Sequence, residues 1–179
     1  MGRRAAWAIA LLVAAPALAH PKGFHKKVIL TVSREGVDAL VALDIDGGPR
    51  TQMLRAAADA DKDGVLSHDE ALALKKELVT LLLRPLTISA SGFRLQFEDV
   101  DAKVDLRKDR RVGDGGLSVA VLRRARFPGP ATGMQLVVTD ESPDQSPVSL
   151  EIHQALPDAG DQVTAVDLAR GASQSVRLW

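Results

Sequence analysis

Between Lys27 and Ser33 the even positions Val28, Leu30 and Val32 are apolar, and between Val37 and Ile45 the odd positions Val37, Ala39, Val41, Leu43 and Ile45 are apolar. Alternation with period two puts one face of a strand into a core and leaves the other to water, so both runs are predicted strands. Arg34-Glu35-Gly36 between them is a short polar connection with a glycine, which makes the pair a hairpin. Gly47-Gly48-Pro49 then ends the alternation and opens a helix over about Pro49 to Ala58, proline being tolerated in a first turn where its missing N–H is not needed. A second helix is predicted over about His68 to Leu83, with Ala71, Leu74, Leu78 and Leu81 or Leu82 recurring on one face. Ser67 and Glu70 supply a capping-box pattern at its start, and Arg84-Pro85 stops it.

Beyond Pro85 the pattern returns to short strand-like runs: Leu86 to Ala90, Arg94 to Phe97, Lys103 to Leu106, Leu117 to Phe127, Met134 to Thr139, Val148 to His153 and Gln162 to Leu168. Turn residues separate them, and Ser142-Pro143-Asp144-Gln145-Ser146-Pro147 reads as a loop. The expectation is an α+β fold, an antiparallel β-sandwich-like domain with a helix-loop-helix inserted at about residues 49–83.

The segment joining the two helices reads Asp59-Ala60-Asp61-Lys62-Asp63-Gly64-Val65-Leu66-Ser67-His68-Asp69-Glu70. It satisfies the D-x-D-x-D-G-x5-E pattern of an EF-hand calcium loop at every constrained position. Calcium is a hard cation that takes six to eight oxygens at about 2.3–2.6 Å, and a loop of this length wraps it only if ligands recur at these offsets. The expected ligands are carboxylate oxygens of Asp59, Asp61 and Asp63, the backbone carbonyl of Val65, Ser67 directly or through water, and Glu70 in bidentate fashion. Gly64 makes the bend. The competing reading is an acidic, solvated helix-helix turn; magnesium is a weaker rival because it demands a tighter octahedral shell.

Sensors mostly pair two such hands through the apolar residue at the eighth loop position, here Leu66, and the sequence offers Leu66 no evident mate. A structural ion is therefore expected, one that holds the helices together wherever calcium is abundant, with pairing induced by a partner as the alternative.

The chain begins Met1-Gly2-Arg3-Arg4, followed by an apolar run to Ala15, Pro16 and the small-residue triplet Ala17-Leu18-Ala19. A basic start, a short apolar stretch and a small-x-small end predict a secretory signal peptide over residues 1–19 and an exported, periplasmic or secreted protein beginning at His20. Residues 20–179 are expected to form a single domain. With Arg3 and Arg4 removed, 21 basic residues face 23 acidic ones, a balance that argues against nucleic acid as a partner. No second long apolar segment follows Ala19, so the mature chain is not expected to span a membrane. The absence of cysteine excludes disulfides, thiolate metal sites and a lipidated N-terminus.

Cleavage after Ala19 would leave His20 with a free α-amine beside its imidazole, a compact chelate for nickel or copper that His25 or His153 could complete. The alternative is a chance cleavage residue, with His25 and His153 on the surface. Asp44 with Asp46, and Asp99 with Asp101, alternate as solvated strand residues do. No G-x-S-x-G, P-loop, dinucleotide fingerprint or H-E-x-x-H occurs. A binding protein is expected rather than an enzyme. The basic clusters Arg107-Lys108-Asp109-Arg110-Arg111 and Arg123-Arg124-Ala125-Arg126 are solvated runs or a surface for an anionic partner.

His20-Pro21-Lys22-Gly23 after the signal, two strands, the acidic loop and a later Gly116-Leu117 strand come in an order that resembles the extracytoplasmic domain at the front of some bacterial nickel/cobalt transporters of the hydrogenase and urease accessory type. The resemblance spans about residues 20–155, and the acidic loop is its one specific motif. It implies an extracytoplasmic module that offers His20 to a transition metal or docks on a membrane or periplasmic protein. The chain departs from that family in lacking membrane helices after the domain, so transport does not carry over.

Overall fold

The structure, a computed structural model, describes residues 23–106, 110–142, 147–156, 160–169 and 171–179. The expected signal segment and His20 lie outside the described residues, as do Arg107-Lys108-Asp109 and the centre of the loop at 143–146.

The expected hairpin forms from β1 (Phe24–Val32) and β2 (Gly36–Ile45), paired in antiparallel register from Phe24↔Ile45 to Val32↔Val37. The turn is closed by the Ser33 N–H on the Gly36 carbonyl at 2.9 Å. Gly36 also lies flush against the neighbouring strand, where a Cβ would come within 2.1 Å of the Ala125 carbonyl oxygen, so only glycine fits. Then come α1 (Pro49–Ala58) and α2 (His68–Leu83), as the pattern predicted. They are followed by β3 (Leu86–Ala90), β4 (Phe93–Arg94), β5 (Glu98–Asp105), β6 (Leu117–Arg126), β7 (Gln135–Asp140), β8 (Val148–Leu156), β9 (Gly160–Leu168) and β10 (Ser173–Arg177).

The fold is mixed α+β and mostly sheet. One sheet runs β5-β6-β2-β1-β8-β9 and the other β10-β7-β3-β4, with both helices between β2 and β3 in sequence. Inward side chains of the first sheet (Val28, Leu30, Val41, Val119, Leu150, Ile152) and of the second (Ile88, Ala90, Leu136, Val138) join Leu74, Leu78 and Leu82 of α2 in one buried cluster. Each valine, leucine or isoleucine among them contributes on the order of 1.5–3 kcal/mol when fully buried, which makes this shared core the main stabilising term.

The antiparallel expectation needs one correction: β1 and β8 pair in parallel, from Lys27↔Ser149 to Val32↔Gln154. Alternation reports which face is buried and is silent on strand direction. The long excursion between these strands is what allows a parallel neighbour. Strand limits also differ where polarity hides them. β4 is shorter than the predicted 94–97 run, β5 starts at Glu98 rather than Lys103, and β10 was not predicted. β5 and β10 are edge strands with mostly polar, exposed residues, and a one-sided apolar signal fades there.

Among the described residues, one ion pair is buried in the core. Lys26, on the inward face of β1, donates from Nζ to the Asp140 carboxylate of β7 and, at 2.9 Å, to the Leu82 carbonyl in the last turn of α2. Burial pulls the Lys26 ammonium below its ordinary pKa, and the hydrogen bond and charge of Asp140 pull the other way. The pair thus ties both sheets to the end of α2.

Candidate functional site

The acidic loop emerges from α1 and closes at the start of α2. Its course depends on two left-handed residues, Lys62 (φ 61°) and Gly64 (φ 83°); glycine at the second removes the Cβ penalty at the sharpest bend. Carboxylates hold the turn from within. Asp59 Oδ2 accepts the Gly64 N–H at 3.1 Å, Asp61 Oδ1 accepts the Asp63 N–H at 3.1 Å, and Asp63 Oδ1 accepts the Val65 N–H at 2.7 Å. Such local side-chain to backbone bonds are how aspartates shape tight turns.

Three of the expected ligands converge. Asp59, Asp61 and Asp63 each bring a carboxylate oxygen within 4.8 Å of the others. Like charges this close repel by on the order of 1–4 kcal/mol per pair, depending on how much water screens them. Asp61 and Asp63 are exposed, whereas Asp59 is only 8% exposed, and its Oδ1 is buried with no hydrogen-bond donor among the described residues. A buried, unsatisfied carboxylate oxygen beside two more carboxylates is costly for the protein alone, and a cation removes both penalties.

Val65 is placed by the backbone. Gly64 and Leu66 bond to the segment around Arg111, so the N–H and carbonyl of Val65 point away from that segment, and the N–H donates to Asp63 Oδ1. Ser67 and Glu70 form the expected capping box: Ser67 Oγ accepts the Glu70 N–H at 3.3 Å, and Glu70 Oε2 accepts the Ser67 N–H at 2.8 Å. Glu70 Oε1 reaches back across the loop to the N–H groups of Ala60 (2.6 Å) and Asp61 (3.4 Å). Glu70 therefore lies outside the three-aspartate group and stitches the two ends of the loop together. The Ser67 amide and hydroxyl, then the Ala60 amide, hold its carboxyl below the ordinary carboxylate range.

Sequence reasoning left Leu66 without a mate, and the structure supplies one. Leu66 is fully buried, its N–H donates to the Arg110 carbonyl at 2.8 Å, and the Val112 N–H donates to the Gly64 carbonyl at 2.9 Å around an antiparallel Val65↔Arg111 bridge. No local signal marks residues 110–112 as a strand, because the pairing is a single bridge far away in sequence.

The second metal expectation centres on His20, outside the described residues, and only His25 and His153 of its set can be placed. His25 is exposed, and its Nε2 lies 3.2 Å from Asp46 Oδ2. His153 sits on β8 with Nε2 3.6 Å from Glu151 Oε2, and His68 is exposed at the start of α2. Asp44 accepts from the Ser118 hydroxyl at 2.5 Å, and Asp99 pairs with Arg123 Nε at 2.6 Å, so both work as strand-to-strand contacts. Among the described residues no helix is long and apolar enough to cross a membrane. No protein-family model and no curated protein sequence matches the chain.

Proposed function

We propose that the chain is an exported calcium-binding protein whose Asp59–Glu70 loop is an EF-hand, inserted in a sandwich-like two-sheet body and serving as a structural staple for a binding or interaction module. The observation that carries this reading is the buried Asp59 Oδ1, left without a donor beside the converging carboxylates of Asp61 and Asp63. Asp59, Asp61 and Asp63 would hold the ion, with the Val65 carbonyl and Glu70 completing an all-oxygen set. The Ser67 hydroxyl is engaged as the α2 cap, which favours a water at its position. A flexible oxygen-rich loop suits calcium better than magnesium, whose shell is smaller and more rigid. Export rests on residues 1–19, and a membrane or periplasmic protein is the partner class suggested by the resemblance to transporter domains.

Isothermal titration of the chain from His20 with calcium tests the reading. One ion per chain is expected, with binding lost in Asp61→Ala and weakened at least tenfold in Glu70→Gln. No heat of binding, or the same affinity in all three proteins, would overturn it.

A further inference from the structure

We propose that Arg55 and the Arg110–Val112 segment are positioning elements of the cation loop, a built-in replacement for a second hand, and that calcium and the order of residues 110–116 control each other. This rests on the calcium reading above and goes beyond it by naming what tunes the site.

The contacts form a closed ring. Arg55 belongs to the last turn of α1, and its carbonyl accepts the Asp59 N–H at 3.0 Å, so its backbone sets the first loop residue. Its side chain, 1% exposed, runs to the connection between β5 and β6. Nη1 donates to the Arg111 carbonyl at 3.1 Å, and Nη2 donates to the carbonyls of Leu106 at 3.0 Å and Gly116 at 3.3 Å. One turn earlier, the Thr51 hydroxyl lies 3.1 Å from the Asp114 carbonyl. The segment held in this way returns to the loop through the two hydrogen bonds around Val65↔Arg111. Those bonds fix the peptide planes on both sides of Val65 and turn its carbonyl away from the Arg111 segment.

A guanidinium whose two terminal nitrogens donate to several backbone carbonyls of one segment orders that segment, since a buried carbonyl needs a donor and a planar fork serves several at once. Whatever orders the segment also orders the Gly64 and Leu66 backbone, and the reverse holds by linkage: if the segment raises calcium affinity, calcium stabilises the segment by the same factor. The bridge occupies the face that a partner loop would use, so the site needs no second copy of the chain.

Two variants and two readouts test this. Val112→Pro removes the N–H that meets Gly64 and touches no ligand; Arg55→Met removes the clamp. Either is expected to weaken calcium about tenfold in titration, the scale of one hydrogen bond lost from the bound state. In the unmutated protein, saturating calcium is expected to slow trypsin cleavage after Arg110 and Arg111 about tenfold, with a midpoint at the titrated Kd. A merely structural role would lower the unfolding midpoint without either change. Should Arg55→Met fail to fold, Val112→Pro decides. Calcium affinity within twofold of the unmutated protein in a folded variant overturns the proposal and leaves the calcium site standing, as does cleavage at the same rate with and without calcium. No calcium binding in the unmutated protein removes the site itself.

Discussion

Between the two sheets, Val28, Leu30, Val41, Leu136, Val138, Leu150 and Ile152 are buried side by side, and apolar contact is the main term that orders them, with the Lys26–Asp140 pair at one end. In the loop from Asp59 to Glu70 the one buried apolar side chain is Leu66, and carboxylates bonding to backbone N–H groups, together with the Val65↔Arg111 bridge, supply the remaining order. The first region draws on a term proportional to buried area and indifferent to ions; the second draws on charges whose mutual repulsion a cation would relieve. The difference implies that calcium should divide the molecule: variants in the two-sheet body change stability equally with and without the ion, whereas loop variants change the response to it.

The largest expected effect lies in the body. Lys26→Met leaves the Asp140 carboxylate buried without its cation and should destabilise by about 3–5 kcal/mol, by the same amount with and without calcium. Adding Asp140→Leu should recover most of that loss, because an apolar pair of similar volume carries no desolvation penalty. Urea unfolding of the single and double variants reads both. Next comes Leu66→Ala, expected to cost about 2–4 kcal/mol for a fully buried leucine and, unlike Lys26→Met, to weaken calcium binding as well, since Leu66 sits next to Val65 on the bridge. Loss of stability with unchanged calcium affinity would show that the bridge is mere packing.

The smallest effect concerns acid. With its folded pKa below the ordinary 4.5, the Glu70 carboxylate binds its proton less readily in the folded chain than in the unfolded one. Its contribution is therefore complete above about pH 4.5 and disappears as pH falls through the lower, folded value. Calcium-free Glu70→Gln should be less stable than the unmutated protein near neutrality, and the difference should shrink as pH falls below 4.5. A difference that does not shrink on acidification would contradict the capping role.

What could be read in advance follows the same divide. The β1–β2 hairpin, both helices and the capping residues Ser67 and Glu70 were legible because local periodicity and local chemistry determine them. The first half of β5 and all of β10 were not, as polar edge strands owe their form to a neighbour. Nor was the face of α1: Thr51 and Arg55 are buried while Met53 is 70% exposed, the reverse of an apolar-in rule, because Arg55 finds carbonyls some 50 to 60 residues away. For the site, the spacing of the converging aspartates was plain in the sequence. The unsatisfied oxygen of Asp59 and the mate of Leu66 were not, since both depend on contacts made only after the chain has folded.

Amide hydrogen exchange of the chain from His20, with and without saturating calcium, reads both regions in one experiment. The expected result is slower exchange across Asp59–Glu70 and Arg110–Val112, with β1, β2 and β6 unchanged. Identical exchange in the loop under both conditions would contradict the account.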